Sequence, residues 1–158
     1  MNDFLTSSLK DQRSAAIDIR TVALAGRLAP DTSVEPMIQI IQTVLGLGKA
    51  VLIEEKTAEH FGLTQFASVP LHDIGNCADV MISVGGDGTM LGVARRVAPY
   101  HIPLIGVNQG HLGFITDIAL DNAPSALREI LYERSYDVEE RDLLRAQIIR
   151  NGEVVHEG

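Results

Sequence analysis

The amino-acid sequence predicts an α/β fold, a mostly parallel sheet with helices on both faces, and three observations carry that expectation. The short runs 21–25, 50–53, 80–84 and 103–107 are nearly all apolar, as strands covered on both faces are. Between them, apolar residues recur at helical spacing. Glycine-rich turns follow the third and fourth runs, where a strand hands over to what comes next. Strands alternating with helices in this way imply βαβ units.

Taken in order, residues 1–20 read as a polar, partly helical lead-in without identifiable chemistry. The run 21–25 (TVALA) is a buried strand ended by Gly26. Thr32 and Glu35 have capping-box spacing, and Pro36 is tolerated in a first helical turn. Met37, Ile40, Ile41, Val44 and Leu45 then form a helix face that Gly46 and Gly48 bring to a stop. A second strand follows at 50–53. Residues 55–77 are less regular and read as a short helix near 58–61 followed by a loop. Cys77 stands at the threshold of the next strand, where it reads as a small core hydrophobe.

The run 80–84 (VMISV) leads directly into Gly85-Gly86-Asp87-Gly88-Thr89. Met90, Val93, Ala94, Val97 and Ala98 mark one face of the following helix, and 103–107 is the fourth strand. It ends in Asn108-Gln109-Gly110-His111-Leu112-Gly113-Phe114. Asp121 or Asn122 caps another helix with Leu127, Ile130 and Leu131 on its inner face. Beyond Tyr136 the period changes to two. Leu144, Ala146 and Ile148 alternate with polar neighbours, Asn151-Gly152 is a hairpin turn, and 153–156 starts a return strand. The expected division is an α/β domain over 1–135 and, over 136–158, the beginning of an antiparallel β domain that this chain does not complete.

Composition narrows the function. The net charge is -8, which argues against non-specific attraction to nucleic acid or an anionic membrane. A phosphate-bearing ligand must therefore be held locally, by backbone amides, a metal or a few basic side chains. A single cysteine permits no internal disulfide and fits a reducing, cytoplasmic setting. No stretch of about 18 apolar residues suggests a membrane span, and the first residues lack a signal-peptide core.

In open parallel sheets, ligands bind beyond the carboxyl ends of the strands. Missing side chains at Gly85, Gly86 and Gly88 would let a ligand approach the backbone, and the amides at the start of the next helix would face a pyrophosphate. Asp87 would repel phosphate there unless it coordinated magnesium or took a proton from a hydroxyl. The loop lacks the Lys of a Walker A motif and the spacing of the dinucleotide fingerprint. On these residues alone, a purely structural turn stays open beside a phosphate cradle.

Two motifs together resolve the choice by resemblance. GGDGT after an apolar strand resembles the hallmark of a kinase superfamily containing NAD kinases, diacylglycerol and sphingosine kinases and, more distantly, phosphofructokinases. The segment 108–117 (NQGHLGFITD) is similar to the N-x-G-x-L-G-F-[LI]-T-D segment of bacterial NAD kinases, and the match covers most of 20–158. This resemblance implies a Rossmann-like, phosphofructokinase-like fold and ATP-dependent phosphorylation of NAD to NADP with a divalent metal (Mg2+). Asp87 would be the catalytic carboxylate, taking the proton of the adenosine ribose 2′-hydroxyl. Gly85, Gly86, Gly88 and Thr89 would hold phosphates, and the metal with them, near it. Asn108 belongs to the nucleotide-binding segment, Phe114 would pack against NAD with Leu112 and Gly113 shaping that wall, and Leu91 would contact nucleotide. The family's habit implies a homo-oligomer, a dimer or tetramer, whose partners are the small molecules NAD and ATP.

The chain departs from the pattern in two places. Relatives carry a basic, Pro-containing stretch after the first strand, whereas here Gly26-Arg27-Leu28-Ala29-Pro30 leaves Arg27 as either a phosphate contact or a solvated loop residue. The family's Asn-acidic motif does not occur and is expected shortly after Gly158. His111 reads as a hydrogen-bonding loop residue, His60, His72, His101 and His156 as surface residues, and Arg95-Arg96 as a solvated helix face. A lipid kinase of the diacylglycerol type shares GGDGT but not the second segment. A non-catalytic nucleotide-binding module would bind anions better without Asp87.

Overall fold

The computed structural model describes residues 17–157. The helical lead-in expected over 1–20 lies outside them as far as residue 16, and 17–20 carry no helix. Six strands, β1 (Thr21–Gly26), β2 (Ala50–Glu54), β3 (Ser68–Val69), β4 (Val80–Gly85), β5 (Leu104–Asn108) and β6 (Ile118–Ala119), form one sheet. Its order is β3-β2-β1-β4-β5-β6, with every neighbouring pair parallel. The helices are α1 (Glu35–Gly46), α2 (Glu55–Phe61), α3 (Asp87–Val97) and α4 (Ala123–Arg128).

The chain builds outward from β1 to β3, then returns to the other side of β1 with β4. The order therefore reverses between β1 and β4, and loops at their carboxyl ends diverge to leave a crevice.

Strand alternation sorts the core into two layers. Val22 and Leu24 of β1 and Val80, Ile82 and Val84 of β4 pack with Met37, Ile40, Ile41 and Val44 of α1 and Leu127 and Leu131 beyond them. Ala23, Ala25, Leu52 and Met81 point to the opposite face, under Val93 and Val97 of α3. Burying each of the large aliphatic side chains contributes about 1.5–3 kcal/mol relative to leaving it in water. The small residues on the α3 side have a geometric purpose. A Cβ at Gly106 of β5 would stand 2.7 Å from the Met90 sulfur and 2.9 Å from Thr116 Cγ2, so glycine lets both lie close to the sheet.

Several local expectations are corrected. The capping box does not form: α1 starts at Glu35 after Val34, whose side chain cannot cap, and Glu35 N–H reaches Ser33 Oγ at 3.3 Å instead. Thr32 Oγ1 is left buried without a partner among the described residues. Asp121 and Asn122 do not cap α4 by their side chains; they lie in a 3-10 turn, Leu120–Asn122, and α4 runs on into a wider π turn, Glu129–Glu133. Cys77 is exposed, because the chain approaches β4 through a 3-10 turn, Ile74–Asn76, and enters the sheet only at Val80.

The short helix of the 55–77 region is α2, and its start has a cap that sequence spacing did not reveal. Glu54 is buried and accepts from Thr57 N at 2.8 Å, Thr57 Oγ1 at 2.7 Å and Lys56 N at 3.2 Å. Gly62, at φ 66, ends the helix in the left-handed conformation that glycine reaches without strain.

Beyond Tyr136, β7 (Gln147–Arg150) and β8 (Glu153–Glu157) pair antiparallel as a separate two-stranded sheet. Asn151 and Gly152 have φ of 54 and 81, both positive as a type I′ turn requires. The first strand begins later than its alternation suggests, and Leu144 is exposed before it. Ile148, Ile149, Val154 and Val155 are exposed too.

Candidate active site

The carboxyl end of β4 is where the sequence places its chemistry, and the backbone there is tight. Gly85 ends the strand, extended Gly86 precedes α3, and Asp87 is the first helical residue. Thr89 folds back over Gly85, so that a Cβ there would lie 2.5 Å from its hydroxyl. At Gly86 and Gly88 the space a Cβ would take is empty to 4 Å. Glycine thus serves packing at the first position and leaves open approach to the helix amides at the other two.

The Asp87 carboxylate does not cap its own helix. It crosses to the loop between β5 and β6, where Phe114 N donates to Oδ2 at 2.8 Å. Oδ1 accepts from Ile115 N at 3.3 Å, Thr116 N at 3.1 Å and Thr116 Oγ1 at 2.8 Å. These donors, the Thr116 hydroxyl foremost, favour the charged form and lower the Asp87 pKa below the ordinary carboxylate range, against a smaller opposing effect of burial. Gly113 abuts the same group: a Cβ on it would overlap Oδ1 and Cγ and lie 2.6 Å from Oδ2.

The loop is fixed from behind. Asn108, 5% exposed, donates from Nδ2 to Thr116 Oγ1 at 2.7 Å, and its Oδ1 accepts from Gly110 N at 2.8 Å. Gln109 N donates to Gly85 O at 2.9 Å, tying the two glycine-rich segments together. Phe114 is 97% exposed, and Leu112 and Leu91 also stand in solvent. His111 is exposed.

A cleft of about 650 Å³ opens at the reversal between β1 and β4. It is bordered by Gly26 at the end of β1 and Leu28 beyond it, Glu54, Glu55 and Lys56 at the start of α2, and a stripe of α3 at helical spacing, Gly88, Gly92 and Arg96. The first turn of α3 thus borders the cleft with Gly88 and Thr89 while directing Asp87 to the β5–β6 loop. Lys56 and Arg96 make no ion pair among the described residues. Arg96 is exposed, as expected of a solvated helix face, and also borders the cleft, two helical turns from Gly88; nothing in the sequence singled out Lys56. Arg27 anchors by its backbone, N to Val84 O at 3.0 Å, and its guanidinium lies 3.9 Å from Asp31.

Geometry thus brings together Gly85, Gly86, Asp87, Gly88, Thr89, Asn108, Gly113 and Phe114 at one end of the sheet. Among the described residues no helix is long and apolar enough to cross a membrane.

Comparison with known proteins gives this arrangement its context. Residues 31–136 match the ATP-NAD kinase N-terminal domain. An NAD kinase of Thiobacillus denitrificans is 43% identical over 141 residues, 89% of this chain and 48% of its own length. One of Burkholderia cenocepacia is 43% identical over 137 residues, 87% of this chain and 45% of its own. The chain therefore spans about half the length of the curated relatives it matches. A crystal structure of yeast NADH kinase complexed with NADH superposes with a TM-score of 0.64 at 19% identity, covering 74% of this chain and 39% of that one, which shows a shared fold. With its parallel α/β sheet, its glycine-rich turn after β4 and this match over residues 31–136, the chain belongs to the NAD kinase family.

Proposed function

We propose that this chain is the nucleotide-binding portion of a kinase that transfers the γ-phosphate of ATP to the adenosine ribose 2′-hydroxyl of NAD, giving NADP. The observation that carries the reading is Asp87. It is a carboxylate at an open helix N-terminus, held by four hydrogen bonds at the carboxyl end of a parallel sheet. An anion-binding module would be weakened by that charge, whereas a phosphoryl transferase uses it to take a proton.

In the proposed reaction the ribose oxygen attacks the γ-phosphorus as its proton passes to Asp87. The bond from phosphorus to the bridging oxygen breaks, and ADP leaves. The protein's contribution is positioning and charge stabilisation. Gly86, Gly88 and Thr89 accept the donor phosphates at the α3 N-terminus, with Gly85 packed beneath Thr89. Arg96 and Lys56 are the cations that line the cleft and are available to the triphosphate, beside the carboxylates of Glu54 and Glu55. Arg27 lies in the loop between the lining residues Gly26 and Leu28. Exposed Phe114, with Leu112 and Leu91, offers apolar surface to NAD.

The described residues contain no group of three or more His, Cys, Asp or Glu suited to hold a metal. In kinases magnesium is commonly carried largely on the nucleotide's own phosphates, and here it would be held with them at the α3 N-terminus beside Thr89. When bound it would neutralise charge on the transferring phosphoryl group. The same reading places the protein in the cytoplasm as a homo-oligomer, with a β-rich second domain beginning near residue 136.

The test is NADP formation, read by a coupled dehydrogenase, in a full-length protein carrying this chain. NADP appearing only with ATP, NAD and magnesium together supports the assignment. Phosphorylation of a diacylglycerol without NADP would point to the lipid-kinase alternative. In the same protein, Phe114→Ala is expected to weaken NAD binding several-fold with a smaller effect on ATP, since an aromatic contact is worth about 0.5–1.5 kcal/mol beyond its buried area. Unchanged NAD affinity by calorimetry would remove Phe114 from the binding surface.

A further inference from the structure

We propose that Thr116, backed by Asn108, is the positioning residue that holds the Asp87 carboxylate with Oδ1 anchored and Oδ2 free to accept the substrate proton. The inference rests on the kinase reading above and deepens it, because neither side chain need touch a nucleotide to matter.

The two oxygens of Asp87 are unlike. Oδ1 receives three donors, two amides and the Thr116 hydroxyl, which together occupy its acceptor capacity. Oδ2 receives one, from Phe114 N, and so keeps a lone pair. A carboxylate that could spin would present either oxygen. Here the three-to-one distribution of donors fixes which one is available.

Thr116 enforces that distribution. It is fully buried, and its hydroxyl has a single proton. Asn108 Nδ2 donates to Oγ1 at 2.7 Å, so the hydroxyl's own proton is directed along its other short contact, to Asp87 Oδ1 at 2.8 Å. The Asn108 amide cannot usefully flip, since its oxygen already accepts from Gly110 N at 2.8 Å. A flip would set two donors against each other there and leave Thr116 without one. The relay therefore runs in one sense, from Asn108 to Thr116 to Asp87. It starts on β5, inside the sheet, and ends on the first turn of α3. Gly106 completes the arrangement by leaving the space next to Thr116, whose Cα lies only 3.2 Å from where a Cβ would be.

The experiment measures kcat and KM for NAD and ATP in the full-length protein with Thr116→Val, Thr116→Ser and Asp87→Asn, singly and with Thr116→Val combined with Asp87→Asn. Thr116→Val keeps shape and removes the donor. It is expected to lower kcat roughly 10–100-fold, the scale of one hydrogen bond to a charged group, with KM values within about threefold. Thr116→Ser restores the hydroxyl and should recover most of the activity. In the Asp87→Asn background Thr116→Val should cost little more, because residues acting as one unit are not additive. If Thr116→Val does not fold, Asn108→Ala provides the second variant, which frees the Thr116 proton and should lower kcat several-fold. Unchanged kcat, a change confined to KM, no rescue by serine, or a full additive loss in the Asp87→Asn background would each overturn the proposal. A wild-type protein that forms no NADP would instead overturn the kinase reading on which it stands.

Discussion

Asp87→Asn is expected to lower kcat by roughly 10²–10⁴ while leaving the apparent affinity for NAD nearly unchanged. The substitution keeps size and removes both the charge and the proton-accepting oxygen. Its amide has one acceptor and one donor group, yet the wild-type carboxylate receives four donors. The asparagine oxygen will settle against Ile115, Thr116 and its hydroxyl, which turns the NH2 toward Phe114 N and toward the ribose. The variant then offers a donor where the reaction needs an acceptor. Steady-state kinetics in a full-length protein check this, and near-normal turnover would remove Asp87 from the mechanism.

The same hydrogen bonds set the pH behaviour. The Asp87 pKa is lowered, first by the Thr116 hydroxyl and next by the Phe114 amide. A carboxylate with a depressed folded-state pKa favours the fold above its unfolded pKa, and that stabilisation fades as pH falls through the folded value. Asp87 therefore stays ionised to below the ordinary aspartate value of about 3.9. Its contribution to turnover should persist across the neutral and mildly acidic range.

How far the sequence reveals this site depends on whether a residue acts through its neighbours or across the fold. β1, β2, β4 and β5 were legible because both faces of each are covered, so their apolar runs are continuous. β3 and β6, two residues each, are too short to carry a period. The Thr32–Glu35 spacing suggested a cap, but α1 begins only at Glu35, with Val34 at the capping position. Cys77 resembled a core residue because an apolar strand follows it, while a 3-10 turn keeps it at the surface.

Within the site, Asp87 and its glycines were legible from one contiguous motif. The Thr116 bond spans 29 residues and the Asn108 bond another eight, so no local pattern announces a relay running through both. Asn108 was expected among nucleotide contacts; the structure buries it and engages both ends of its amide internally. The cleft draws on residues from β1 to α3, which is why Arg96 reads as solvated along the helix and as a lining cation in space.

Gly113 illustrates the same distinction and supports the second large expected effect. In sequence it is one more small residue in a loop that resembles a nucleotide wall. In the structure the place of its missing Cβ is filled by the Asp87 carboxylate. Its backbone is outside the left-handed region, so Gly113→Ala brings no conformational strain and acts through that overlap alone. Either the loop or the carboxylate must yield. The loop is held by Gly113 N to Thr116 O at 3.1 Å and by its three amides on Asp87. Asp87 is a short side chain on a helix end, so the carboxylate is the group expected to move, losing part of its hydrogen bonding. A misplacement of about 1 Å in reacting groups can cost 10²-fold in rate. Gly113→Ala is therefore expected to lower kcat by about that factor, with the protein still folded by circular dichroism, since the added methyl lies at an exposed loop. Gly110→Ala is the matched control: it lies in the same loop, and its Cβ would meet only Asn108 Oδ1, at an ordinary 3.9 Å. If Gly113→Ala turned over like that control, the loop would be the compliant partner, and the rate would not depend on where this loop holds the Asp87 carboxylate.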